Sequence, residues 1–284
     1  MRTQLLGKLV IDQSAVSREL DASLDFDYAE QYPEFQSGSR PWRTCMLWSV
    51  GGEIGDGVIA RYDTSRACQP TVYGEKLPYL RALVAEHFAL RHLLFARMVV
   101  MTDNVLVPHR DFVEFTERDA DARATHRLHV PLATAEDCLL MEDNVVYRMR
   151  QGEVWSLDVT CPHSAAVLQD TRRVHLILDF ADVPDDQVLT FAFDPSTGIP
   201  ASNTVERPPL TERERQAFLA LADVIDSENI KEILGLVIRK HYRKDGGEDF
   251  VWKTMRAIGR ASGDQAVQAR IEELFHHCML EREE

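Results

Sequence analysis

The chain has 284 residues, 45% of them hydrophobic and 27% charged, with a formal net charge of −14. That size and balance supply a real core, in one large domain or in a core domain with a smaller appendage. The negative charge disfavours non-specific binding to nucleic acid or to an anionic membrane, and no apolar run approaches the roughly 20 residues of a spanning helix.

Five cysteines (Cys45, Cys68, Cys138, Cys161, Cys278) are odd in number and contain no Cys-x-x-Cys pair, so neither a disulfide framework nor a zinc knuckle is expected. Free thiols in a reducing cytoplasm are the simplest reading, and the first residues lack the apolar stretch of a secretory leader.

In chain order, residues 5–11 read as a short strand and 12–24 as a helix, with Asp12 placed to cap it. Residues 25–69 read as a long irregular stretch holding Gly51, Gly52, Gly55 and Gly57, with Trp42 and Trp48 nearby. No Gly-Lys-Ser/Thr follows these glycines and no strand-to-helix context surrounds them. They predict a surface or lid loop rather than a phosphate cradle. Residues 77–87 predict a helix, from Leu80, Leu83 and Val84 at helical spacing behind Pro78.

Beyond Leu93 the texture turns to short strands: 95–101, 105–108, 126–132, 144–149, 153–158 and 174–180. Turn signals such as Thr102-Asp103-Asn104 and Gln151-Gly152 separate them, which predicts an antiparallel sandwich or barrel. Residues 182–209, rich in Asp and Pro, read as a connector. Thr211-Glu212-Arg213-Glu214 is a capping-box string. The stripes Ile230, Ile233, Leu234, Val237, Ile238 and Val267, Ile271, Leu274, Phe275 predict amphipathic helices. The expected organisation is a β-rich domain over 1–205 and a helical subdomain over 206–284.

Against that background stands Pro108-His109-Arg110-Asp111-Phe112, followed later by Cys161-Pro162-His163-Ser164. Two histidines and one carboxylate can bind one face of an Fe(II) ion and leave other positions open for oxygen chemistry. One intervening residue puts His109 and Asp111 on the same face of an extended segment. His163 must then arrive from another strand. A lone His-x-Asp is usually surface decoration. Arg173, downstream of His163 at the head of an alternating run, strengthens the metal reading, because its planar fork suits a co-substrate carboxylate.

Strand parity adds more. Arg127 and His129 share one face, with Leu128, Val130 and Leu132 opposite. Arg173 and His175 repeat the pattern, with Val174, Leu176, Leu178 and Phe180 opposite. The bland alternative is the solvated side of a half-buried sheet. The sharper one is a barrel interior, which Arg97 could join. A buried carboxylate is costly unless paired, so two bound carboxylates, one on a co-substrate and one on a substrate, would account for several inward arginines. Weaker candidates are expected to be structural: His276-His277 on a solvated helix face, Cys161 as a buried thiol, Trp155 as packing and 245–249 as a loop between helices.

The strings Phe95-Ala96-Arg97, Val107-Pro108-His109-Arg110-Asp111-Phe112, Arg127-Leu128-His129, Gly152-Glu153-Val154-Trp155-Ser156-Leu157-Asp158, Pro162-His163-Ser164-Ala165 and Arg172-Arg173-Val174-His175-Leu176 resemble the bacterial free L-proline hydroxylases. That family includes cis-3- and cis-4-proline hydroxylases and pipecolate-hydroxylating relatives, distant kin of the aspartyl/asparaginyl β-hydroxylases. The resemblance implies a mainly β protein with a double-stranded β-helix (jelly-roll, cupin-like) core, flanking helices and a C-terminal helical subdomain. It implies a dioxygenase that uses Fe(II), 2-oxoglutarate and O₂, with ascorbate in support. The product would be a free cyclic L-amino acid hydroxylated on a ring carbon, with succinate and CO₂.

By the same resemblance His109, Asp111 and His163 are the iron ligands. Arg173 holds the distal carboxylate of 2-oxoglutarate with help from His129, and Arg127 and Arg97 hold the substrate carboxylate. A carboxylate at Asp111 favours hydroxylation over halide chemistry. Ser156, where the family string has a bulkier aromatic, and the loop at 51–58 are departures that bear on ring size and the carbon attacked. The partner is then a small amino acid, with no nucleic acid and no membrane, and the helical tail offers a surface on which a homodimer could form. Two alternatives stay open: the same chemistry on a peptide or carrier-bound residue, and a non-oxygenase metal-binding jelly roll that senses a ligand or isomerises a sugar.

Overall fold

The computed structural model describes residues 3–30, 35–38, 40–58, 66–111, 126–180, 183–193 and 198–280. Among them, antiparallel strands form two sheets. The larger, eight-stranded sheet has the order β1 (Gln4–Lys8), β11 (Glu153–Leu157), β8 (His126–Ala133), β13 (Arg173–Phe180), β6 (Leu93–Met101), β4 (Arg43–Val50) and β2 (Ala29–Glu30), with β5 (Cys68–Pro70) on β4. The five-stranded sheet has the order β10 (Val145–Tyr147), β9 (Cys138–Glu142), β12 (His163–Val167), β7 (Asn104–Leu106) and β3 (Gln36–Gly38). The chain crosses between sheets from β6 to β7, from β8 to β9 and from β12 to β13. This is the double-stranded β-helix that the resemblance implies, and its antiparallel pairing agrees with the strand pattern.

Parity decides what each face does. Ala96, Met98 and Val100 of β6, Leu128, Val130 and Leu132 of β8, and Val174, Leu176, Leu178 and Phe180 of β13 form one buried cluster with the helices α1 (Gln13–Ala22) and α2 (Pro78–His87). The alternate positions carry Arg97, Arg127, His129, Arg173, His175 and Asp179, all buried. The smaller sheet is covered on its other side. Val105, Leu139, Met141, Val146 and Ala166 share a cluster with α3 (Glu212–Leu219), α4 (Ile230–Arg243), α5 (Phe250–Ser262) and α6 (Gln265–Met279). Helices thus cap both outer faces, and the polar side chains are left between the sheets.

Local chemistry accounts for the element ends. Asp12 accepts from the amides of Ser14 and Ala15 and starts α1. Leu77 cannot cap α2 with its side chain, and Glu19 of α1 does so instead, accepting from the amides of Tyr79 at 2.6 Å and Leu80 at 2.9 Å. Thr211 and Glu214 form the expected capping box. Gly152 turns the chain into β11 at φ 78°, where a Cβ would lie 2.8 Å from the Leu9 carbonyl oxygen.

Besides β12 and the short β2, β3 and β5, none of which is among the predicted strands, two more strands were not anticipated. Residues 43–50 belong to a buried strand of the large sheet, not to an irregular stretch, and β9 lies where no strand was expected. Their centres, residues 45–48 and 138–141, are continuous apolar runs buried on both faces, so they lack the alternation that reveals a half-exposed strand. The following turns, with positive φ at Gly51, Gly52, Gly55 and Gly57, are the expected loop. Phe112 lies outside the described residues.

Candidate active site

The three candidate ligands come from two segments pinned to each other. His109 and Asp111 follow β7, and His163 opens β12. The His109 amide donates to the His163 carbonyl at 3.0 Å and the His163 amide donates back at 2.9 Å. The Asp111 amide donates to the Val159 carbonyl at 3.0 Å. Each ring is oriented by its other nitrogen: His109 Nδ1 lies 2.7 Å from the Val107 carbonyl oxygen, and His163 Nδ1 lies 3.0 Å from that of Cys161. A carbonyl only accepts, so in a neutral ring each Nδ1 carries the proton and each Nε2 presents a lone pair.

Those two Nε2 atoms lie 3.4 Å and 4.0 Å from Asp111 Oδ1, and one ligand atom from each residue falls within 4.8 Å of the others. Two imidazole nitrogens and a carboxylate on one side of a point are the donor set for a facially bound Fe(II). The residues present therefore fit the ion.

Arg173 stands at the opposite end of β13 from Asp179. It is only 4% exposed, and its one described hydrogen bond is to His175 Nδ1 at 3.1 Å. No carboxylate pairs with it among the described residues, and burial pulls it down to about 10 against weaker opposing effects of Cys138 and Tyr242. A desolvated guanidinium without an anion is strongly unfavourable, so an anionic ligand would be favoured at this end.

His175 Nδ1 also lies 3.4 Å from His129 Nδ1, so His129 reaches Arg173 through His175. Since Arg173 donates to it, His175 Nδ1 is the acceptor and Nε2 carries the proton. That Nε2 is buried and has no hydrogen-bond partner among the described residues. Burial first, then Arg173, hold both histidines far below the ordinary imidazole range, and both are neutral.

Arg127 lies at the other end. Its Nε donates to Asp179 Oδ1 at 2.7 Å, and its Nη1 donates to Asp111 Oδ2. The guanidinium expected to meet a substrate thus also steadies a candidate metal ligand. Arg97 Nη1 donates to the Val58 carbonyl at 2.5 Å, and the guanidinium lies 5.5 Å from the Phe95 ring centroid. His109, Asp111 and His163 thus come together as one group, and His129 lies in the fields of Arg173, Arg127, Arg97 and His163.

Sequence reasoning missed three neighbours. Asp179, fully buried, continues the inward parity of Arg173 and His175, and parity alone could have found it. Tyr242 of α4 meets Ser164 at 2.6 Å between hydroxyl oxygens. Burial pushes the Tyr242 hydroxyl up, while the field of Arg173 opposes that rise. No local pattern links these residues across the fold. His277, expected on a solvated face, packs against Phe35 with centroids 5.2 Å apart, and Phe35 meets His109 at 5.2 Å. Cys161 and Trp155 are buried as expected, and none of the five cysteines is in a disulfide. No helix among the described residues is long and apolar enough to cross a membrane.

Comparison with known proteins agrees with this geometry. The family profile of the aspartyl/asparaginyl β-hydroxylases matches residues 12–182, and that of the L-proline 3-hydroxylase C-terminal region matches 189–284. L-proline cis-3-hydroxylase 2 of a Streptomyces species is 32% identical over 278 residues, covering 96% of this chain and 93% of the relative. L-proline cis-3-hydroxylase 1 of Streptomyces is 31% identical over 280 residues, with the same coverage. L-proline cis-4-hydroxylase of Rhizobium meliloti is 26% identical over 287 residues, covering 100% of this chain and 98% of the relative. Similarity over nearly the whole length of each, on a fold that gathers this donor set, means that the chain belongs to the free L-proline hydroxylase family of Fe(II)- and 2-oxoglutarate-dependent oxygenases.

Proposed function

We propose that the protein hydroxylates a ring carbon of a free cyclic L-amino acid, L-proline or L-pipecolic acid, with His109, Asp111 and His163 holding the iron. The observation that carries this reading is the separation of two guanidinium sites on one inward face. Arg173 and Asp179, the strand partner of Arg127, are six positions apart on β13, about 20 Å along an extended strand. One site takes the distal carboxylate of 2-oxoglutarate at Arg173, with His129 and His175 as a neutral polar wall. The other takes the substrate carboxylate at Arg97 and Arg127.

Fe(II), when bound, supplies O₂ activation coupled to decarboxylation of 2-oxoglutarate, so that one oxygen atom enters succinate and the other the substrate C–H bond. The chain's own residues do the positioning. Arg173 fixes the far end of the co-substrate in a desolvated pocket, where the charge pair is strongest. Arg127 holds Asp111 and thereby the orientation of the donor set. The buried Phe95 ring beside Arg97 excludes water around the reacting ring. The ring carbon presented to the donors decides the product, and shifts of about 1 Å matter. Arg97 and Arg127 are each only 6% exposed, which favours a small free acid over a peptide.

The test offers L-proline and L-pipecolate separately to the purified protein with Fe(II), ascorbate, 2-oxoglutarate and O₂. Succinate and a one-oxygen mass gain are expected with at least one of them, and Arg173→Met should abolish both by removing the co-substrate anchor. Succinate without a mass gain on either ring sends the search to another substrate. Undiminished turnover by R173M would sink the co-substrate assignment.

A further inference from the structure

We propose that Asp179 is a substrate-specificity residue whose second carboxylate oxygen receives the ammonium group of the amino-acid substrate. The inference rests on the amino-acid reading above and says which group recognises the amine.

Asp179 has no exposed surface. It lies directly across the β8–β13 ladder from Arg127 and across the β6–β13 ladder from Phe95, whose ring faces Arg97. It therefore sits inside the guanidinium site assigned to the substrate. Its Oδ1 accepts from Arg127 Nε, but its Oδ2 is buried with no hydrogen-bond partner among the described residues. A buried carboxylate oxygen without a donor is unfavourable, so the complete arrangement places a donor there.

The chemistry of the substrate names that donor. An amino acid brings a carboxylate, which the arginines attract, and an ammonium, which they repel. A pocket selective for the amino acid needs one acceptor close to the arginines, and elimination leaves Asp179. Asp111 Oδ1 faces the Nε2 atoms of His109 and His163, and Oδ2 accepts from Arg127. Of the other buried acids, Glu153 accepts from Asn203 and Trp155, Glu142 from Thr3, and Glu19 from the start of α2.

The experiment is a calorimetric titration of the anaerobic Fe(II)- and 2-oxoglutarate-loaded protein with L-proline and with cyclopentanecarboxylate, which keeps ring and carboxylate but has no amine. The wild type should prefer proline by about tenfold or more, the scale of one charge-assisted hydrogen bond. Asp179→Asn keeps the shape and should erase that preference, weakening proline by about tenfold while leaving cyclopentanecarboxylate within about threefold. Equal weakening of both acids would show that Asp179 only steadies Arg127 and would overturn the proposal. If the variant does not fold, the wild-type pair still decides: equal affinities overturn it. Failure of both acids to bind, with 2-oxoglutarate still bound, would instead remove the amino-acid reading and this inference with it.

Discussion

His175 and His129 show how a single residue ties stability to the site. Burial and the nearby guanidiniums hold both far below the ordinary range, while in the unfolded chain both titrate near about 6.5. Below that pH the unfolded chain binds more protons than the folded one. Stability is therefore full above about pH 6.5 and falls as pH drops, by about 1.4 kcal/mol per pH unit for each histidine. His241, brought down to about 4 by burial and then Arg207, adds a third contribution of the same sign. Urea unfolding midpoints should fall steeply between about pH 7 and pH 5, and His175→Gln should make the fall shallower. An unchanged slope in H175Q would mean that this ring is not held neutral. At this scale the sequence was most readable where strand parity applies. Counting put His109 with Asp111, Arg127 with His129 and Arg173 with His175, whereas the place of His163 rested on the resemblance. The double pairing of Arg127 could not be read this way, because it depends on which strands become neighbours.

At the scale of elements, the ligand segment is braced from outside by the C-terminal helices. Trp252 Nε1 of α5 donates to the Pro108 carbonyl at 3.2 Å, and the Arg110 amide donates to the Cys278 carbonyl of α6 at 2.9 Å. Phe35 fills the gap between the His109 and His277 rings. Trp252→Phe keeps the ring packing but removes one donor, a loss of about 1 kcal/mol. Iron affinity should weaken several-fold, about what that energy corresponds to, with KM values unchanged at saturating iron. Direct Fe(II) titration under anaerobic conditions measures it, and equal affinity would show that the β12 bridge alone fixes the ligands. The helices themselves were readable from apolar stripes and caps. β4 was not, because Thr44 to Ser49 is buried on both faces and shows no period of two.

For the whole molecule, the decisive feature is a core that crosses the expected division at residue 205. Leu139, Met141, Val146 and Ala166 of the smaller sheet share one cluster with Leu234, Val237, Trp252, Met255 and Ile271 of the helices. We propose that 206–284 is a helical subdomain that completes the sheet rather than standing apart from it. Ending the chain after residue 205 would bare that face as one contiguous apolar patch. The shortened protein should aggregate, as sedimentation would show, and a folded monomer would refute the shared core. An antiparallel sandwich or barrel was legible from short strands separated by turn signals, and the jelly roll only from the family resemblance, but which sheet each strand joins was not. That depends on long-range pairing, such as β3 with β7 and α4, which no local pattern encodes.

The reciprocal backbone bridge between His109 and His163 has a consequence for metal identity. A donor set held by the protein's own amides keeps its shape without the ion, so folding does not select which ion enters. Affinity for such nitrogen and oxygen donors rises from iron towards copper along the divalent series. Nickel, cobalt and zinc thus fit the same three side chains, and those that do not turn over oxygen become competitors. Faithful loading with iron then depends on the cell's metal supply as well as on the protein.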